Sequence, residues 1–219
     1  WWNGFGILFR RHAGPLCPQS ERLLCVLGRA YQRLRVGNNS AMYITQAKPN
    51  PAGKDKTAGH PKPDHLLGEW VDIKNNSSNP IDLGRVSVAH TEYDHLQRPH
   101  REPKVYWKGK AGDYLLAGAA LRLHAGKESQ FHLAQRVDVD GADKHVFTEE
   151  EAFVLNNEPG DVIYVYVDGK LVDRASCEHA AEGAILVREG DKLIKKTAPL
   201  GNAGGWTGPS IIGTGGKSA

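Results

Sequence analysis

The chain has 219 residues, 40% hydrophobic and 24% charged, a balance that supports a packed core and excludes a wholly disordered chain. No apolar run is long enough to cross a bilayer as a helix, so no transmembrane segment is expected. The net charge of +3 is unevenly placed: residues 1–41 hold six arginines, no lysine and one acid, whereas the rest is slightly acidic, which gives no support for nucleic-acid binding by the main domain.

In chain order, the leading segment 1–41 differs from everything after it. It begins with Trp1, so the chain reads as a fragment, a processed product or an incomplete reading frame, and a signal peptide could lie upstream. Ser20 is placed to cap a helix running to about Arg35, with Gly37 beyond its end. Leu23, Leu24, Leu27, Tyr31 and Leu34 form one apolar stripe, with Arg22, Arg29 and Arg33 elsewhere around it. Such a helix suits an anionic membrane or an acidic partner, or simply docks on the main domain. Met42, the only methionine, is a candidate native start.

From Met42 the signals are strand and turn. MYITQAK (42–48) alternates and is closed by Pro49, Asn50, Pro51 and Gly53; residues 54–67 read as a loop. In GEWVDIKN (68–75), Val71 and Ile73 share an inward face. Asp72 and Lys74 fall on the polar side, and Trp70 shares that side. The asparagines and serines after it, with Pro80, end the strand. IDLGRVSVAH (81–90) follows, then a polar loop at 91–104, and then VYW (105–107), DYLL (113–116) and AALRLHAG (119–126). FHLAQRVDV (131–139) reads as a weaker strand. AFVLNN (152–157) leads through Glu158, Pro159 and Gly160 into DVIYVYV (161–167).

Asp168-Gly169 accepts positive φ at both centres of a type I′ turn, which predicts a hairpin over DVIYVYVDGKLVDR. Ile163, Val165 and Val167 then share the core side, with Tyr164 and Tyr166 opposite. A second hairpin over 184–196 turns at Glu189-Gly190-Asp191, and after Pro199 the chain becomes a Gly-rich tail. About nine short strands separated by turns argue for an all-β, two-sheet sandwich. The expected division is an arginine-rich segment at 1–41, the sandwich at 42–198 and the tail at 199–219.

Two clusters raise metal chemistry. His90, Glu92, Asp94 and His95, with His100 nearby, carry the ligand types for zinc, but their spacing matches no ligand pattern and a solvated loop is the competing reading. Asp138, Asp140, Asp143 and Glu149 loosely echo a calcium loop, but the glycine is displaced and Ala142 occupies a ligand position. Cys17, Cys25 and Cys177 form no disulfide framework and no CxxC pair. Cys177 reads as a small buried hydrophobe. No nucleophile elbow, phosphate loop or dinucleotide fingerprint is present.

The pieces GEWVDIKN-NSSNPIDL, LLAGAALRLHAG and AFVLNNEPGDVIYVYVDGKLVD, in this order, resemble the lamin tail domain family over about residues 42–179. Leu155 stands where the family often has Trp, Glu158-Pro159 replaces a short acidic link, and Arg85-Val86 replaces Gly-Trp. The resemblance implies an immunoglobulin-like β-sandwich that attaches or scaffolds by binding a protein partner or further copies of itself, without catalysis. It also implies a prokaryotic secreted or cell-surface setting. Trp70 would lie on the outer face, shielded by a loop or open to a partner, and the expected binding residues are Trp70, Tyr164 and Tyr166. No cofactor is expected beyond the candidate zinc or calcium ion. The alternative is a metal-dependent hydrolase or nuclease accessory domain that uses the His and Asp loops.

Overall fold

Strict alternation becomes strand. In a computed structural model that describes residues 40–53 and 55–196, fourteen strands follow in chain order. They are β1 (Met42–Lys48), β2 (Lys56–Thr57), β3 (His60–Pro61), β4 (Trp70–Asn75), β5 (Ile81–Asp82), β6 (Val86–His90) and β7 (Lys104–Lys108). The rest are β8 (Tyr114–Leu115), β9 (Ala120–His124), β10 (Lys144–Phe147), β11 (Asp161–Val167), β12 (Lys170–Cys177), β13 (Leu186–Glu189) and β14 (Lys192–Lys195). Helix is limited to α1 (Pro63–Gly68), α2 (Arg136–Val139) and two 3-10 turns at Leu83–Arg85 and Glu128–Leu133. The helix expected near Ser20 and the Gly-rich tail lie outside the described residues. No helix among the described residues is long and apolar enough to cross a membrane.

Ten strands form one mixed sheet in the order β10-β9-β4-β1-β13-β14-β12-β11-β6-β7; β2–β3 and β5–β8 are small separate ladders. All pairs in the large sheet are antiparallel except β9–β10 and the single pair Ser176↔Lys192 that joins β12 to β14. Ile44, Val71, Ile73, Leu121 and Leu123 come from one half of the sheet, and Val86, Val88, Trp107, Ile163 and Val165 from the other. All of them belong to a single hydrophobic core. Each such side chain contributes roughly 1.5–3 kcal/mol of burial. Val71 and Ile73 point inward as their alternation requires.

The outer side of β4 departs from expectation. It is covered rather than half exposed: Trp70 and Asp72 are each only 1% accessible. The cover is the stretch expected to hold a strand at 131–139, which instead forms the Glu128–Leu133 turn and α2. A charged clamp holds it down. Arg122 reaches across from β9 with Nε 2.7 Å and Nη2 2.8 Å from the two Asp72 oxygens. Its Nη1 donates to the carbonyls of Asp138 and Asp140, each at 3.0 Å. Asp138 in turn accepts from Lys48 Nζ at 2.6 Å and Trp70 Nε1 at 2.8 Å. Two buried cations face two buried carboxylates, which is the condition under which such charges tolerate desolvation.

Two smaller differences have local causes. Residues 54–67 are not a plain loop: they hold β2, β3 and α1, whose first residue, Pro63, has φ preset for a helix start. Lys144–Phe147 is a strand that its charged, aromatic sequence conceals, and it pairs parallel to β9.

Candidate binding face

The best-defined surface candidate grows from the Asp168-Gly169 hairpin. Both centres have positive φ, 52° and 71°, so the turn is of the primed kind and holds β11 and β12 in register. Arg85, at the end of a 3-10 turn, ion-pairs with Asp168, its Nε 2.9 Å from Oδ1, and ties the hairpin tip to the start of β6.

Across this part of the sheet, register builds two rows on the side away from the core. Tyr164 pairs with Arg174 on β12 and with Ala89 on β6, and Ala89 pairs with Val105 on β7. Tyr166 pairs with Leu171 and Ser87, and Ser87 pairs with Lys108. The small side chains Ala89 and Ser87 leave room for the two phenol rings. Tyr164 and Tyr166 are half-buried, while Val105 at 43% and Leu171 at 49% are exposed at the margins. The Tyr164 hydroxyl stands 3.5 Å from Thr91 Oγ1. Burial, then the neighbouring Tyr164 and Glu102, push the Tyr166 phenol above its ordinary value. Among the described residues Lys108 and Arg174 make no ion pair. The result is a rigid aromatic patch with apolar shoulders and two free cations.

Beneath one end of this patch lies a buried polar knot. Asp161, first residue of β11, accepts from the backbone amides of Thr91 and Asn156, from Asn156 Nδ2 and from His90 Nδ1, all at 3.0–3.1 Å. Asn156 Nδ2 also donates to Thr91 O at 3.0 Å. Gly160, between them in sequence, has φ of 106°, and a Cβ there would collide with the carbonyls of Cys177 and Glu178. Asn156, Gly160 and Asp161 therefore have a structural task, closing the loop that feeds the hairpin.

The metal candidates are dispersed. His90 turns inward to Asp161, whereas Glu92 pairs with Lys104 and His100, Asp94 with Arg98, and His95 is exposed. Asp138 belongs to the clamp, Asp140 pairs with Arg136, and Asp143 accepts from the Ala120 amide. Glu149 accepts from the Glu128 amide. Among the described residues no group of three His, Cys, Asp or Glu side chains is placed to hold a metal ion. Cys177 is buried, and burial pushes its thiol up to about 11, the opposite of thiolate activation.

Of the expected binding residues, Tyr164 and Tyr166 stand on the open face. Trp70 does not: of the two places open to it, it takes the shielded one, with the Arg122 guanidinium over its ring. Sequence reasoning missed Val105, Lys108, Leu171 and Arg174 as companions, because cross-strand register leaves no trace in the periodicity of a single strand.

The chain matches no known family model and no curated protein by sequence. Over the described residues the chain is a mostly β protein built on one large mixed sheet with few helices.

Proposed function

We propose that residues 42–198 form an immunoglobulin-like β-sandwich of lamin-tail type, working as a non-enzymatic interaction module that holds a protein partner on the Tyr164–Tyr166 face. Enclosure of one core by both halves of the sheet supports the sandwich. The Asn156–Asp161 knot and the Asp168-Gly169 hairpin give physical roles to residues that carry the family resemblance. The observation that carries the binding role is the pair of phenol rings held by strand pairing between exposed Val105 and Leu171, with Lys108 and Arg174 unpaired beside them. Rigid aromatics of this kind bury area at low entropic loss, which makes them favoured anchors.

The test compares protein capture by immobilised wild-type chain, the double variant Tyr164→Ser/Tyr166→Ser, and Tyr114→Ser, which alters an exposed tyrosine on β8 outside this face. Capture lost in the double variant and kept by Tyr114→Ser is the expected result. Equal capture by all three contradicts the reading, and loss on chelation alone transfers the role to the histidine and aspartate loops.

A further inference from the structure

The large sheet has a seam. β13 and β14 form a hairpin closed by Glu189↔Lys192, and on its other side β14 meets β12 through one parallel pair, Ser176↔Lys192. The Ser176 amide donates to Asp191 O at 3.0 Å at the base of this junction. Beyond it the strands part, opening a cleft of about 230 Å³ lined by Ser176, Glu178, His179, Leu193, Ile194 and Lys195, with Lys192 at its base. In an antiparallel ladder closed by a two-residue turn, alternate residues direct their amide and carbonyl groups away from the partner strand. Here those residues are Leu193 and Lys195. The parallel pair takes the Leu193 amide onto the Ser176 carbonyl, and among the described residues the Leu193 carbonyl and both main-chain groups of Lys195 are left open inside the cleft rather than at the rim of the sheet.

The charge around this edge has a sign. Lys192 is held by Glu178 at 2.6 Å, and His179 stands 3.6 Å from Glu158. Lys195 and Lys196 are exposed and make no ion pair with any described residue. Ile194, 39% accessible on the alternate side of the strand, supplies an apolar contact, while Leu193 is buried in the core. Past the hairpin tip, where Glu189 and Asp191 stand, the exposed charges of this edge are Lys195 and Lys196 on opposite faces, which suits an extended segment carrying acidic residues on both of its faces.

We propose that the β12–β14 cleft is a strand-addition site for an extended acidic peptide segment of a partner, which pairs with Leu193–Lys195 and sets its carboxylates against Lys195 and Lys196. The main chain supplies the pairing and the lysines supply the selection, the usual division in strand addition. This site stands apart from the tyrosine face and does not depend on it. If the lysines only guard an exposed edge against pairing, no acidic peptide binds there.

The test uses the full chain with an acetylated, amidated hexapeptide of Glu and Val that carries Glu on both of its faces, and a Lys/Val counterpart. Titration calorimetry reads affinity, and amide hydrogen exchange reads the 192–196 segment. The Glu/Val peptide is expected to bind, to slow exchange there, and to weaken with added salt; the Lys/Val peptide is expected not to bind. Lys195→Pro removes an amide that faces the cleft rather than β13, so the hairpin stays paired and affinity falls about tenfold or more. Lys195→Glu/Lys196→Glu keeps the edge and reverses the preference toward the Lys/Val peptide. Tyr164→Ser/Tyr166→Ser leaves binding unchanged, which separates this site from the tyrosine face. No binding of the Glu/Val peptide, equal binding of both peptides, or affinity indifferent to Lys195→Pro would each overturn the proposal. So would full protection of 192–196 in the free chain, or protection that grows with protein concentration alone, since either would show the edge already filled.

Discussion

The Arg122 guanidinium carbon lies 3.7 Å from the centre of the Trp70 ring, and both side chains are buried. Cation and ring come from neighbouring strands, paired through Asp72↔Arg122 and Trp70↔His124. Arg122 also donates to Asp72 and to carbonyls of the 136–140 stretch, so one side chain joins the sheet to its cover. Desolvation offsets much of the attraction between such buried charges, so the pair adds little net stability, but a single charge left without its partner is costly.

Removing one charge of this clamp should therefore hurt more than removing both. Arg122→Met leaves the buried Asp72 charge without a cation, held only by the Gln46 side-chain amide at 2.6 Å, and is expected to lose about 3–5 kcal/mol of stability in urea denaturation. Arg122→Met/Asp72→Leu should recover much of that loss, because no uncompensated charge remains. A double variant less stable than the sum of its singles would show that the clamp is not an isolated ion pair.

On β4 the ranking of alanine variants follows burial. Ile73→Ala is expected to lose about 2–5 kcal/mol and Val71→Ala somewhat less, since both fill the core. Lys74→Ala should stay within about 0.5 kcal/mol, as for other uncovered positions. Asp72→Ala now belongs with the core changes rather than with Lys74. Denaturation midpoints of the four variants check the order.

That last point marks the limit of what periodicity conveys. Val71, Ile73, Ile163 and Val165 were legible because strand alternation names the inward face directly. Asp72 was misread, and Trp70 stayed open between a shielded and an exposed place, because period two assigns a side and says nothing of what lies over it. Here the cover is made from residues 128–140, whose placement depends on Arg122 of β9 and on Lys48, 90 positions from Asp138. The Asp168-Gly169 turn was readable from two residues alone, since few others accept positive φ at both positions. Tyr164 and Tyr166 were legible as outward residues, but Leu171 became their neighbour only through a register shift between Val165 and Tyr166. His90 lay among metal-type residues in sequence and turned instead to Asp161, 71 positions away.

Stability should peak on the mildly acidic side. Glu69 is buried with its carboxyl against the amides of Val154 and Leu155, and burial outweighs those bonds, raising it from 4.5 to about 8. The folded state therefore holds a proton that the unfolded chain has released, and stability falls as pH rises from about 4.5 to about 8. His124 behaves oppositely. Burial lowers it from 6.5 to about 3; its Nδ1 donates to Leu67 O at 2.7 Å and its Nε2 faces His145 Nδ1 at 2.9 Å. Stability is then lost as pH falls from about 6.5 toward 3. The two slopes oppose each other between about 4.5 and 6.5, which predicts a plateau there with a loss on either side. Glu69→Gln should flatten the alkaline limb between about 6.5 and 8 and leave the acid limb in place. Thermal melts across that range decide it; an unchanged alkaline limb in Glu69→Gln would contradict the assignment.

Gly160 gives a sharper structural test. Gly160→Ala adds a Cβ against the Cys177 and Glu178 carbonyls at a φ that L side chains rarely adopt, so a loss of roughly 2 kcal/mol or more is expected. Gly169→Ala meets no neighbour and carries only the strain of its positive φ, so its loss should be smaller. Equal losses would mean that the Asn156–Asp161 knot relaxes around the added methyl.

The claim that the tyrosine face holds a partner is tested most directly by hydroxyl-radical footprinting of the full chain, free and in complex with a protein it captures. Tyr164, Tyr166 and Leu171 should lose reactivity together on complex formation, while Tyr114 and Leu116, exposed near β8, keep theirs. Unchanged reactivity of Tyr164 and Tyr166 in a stable complex would contradict the assignment of this face.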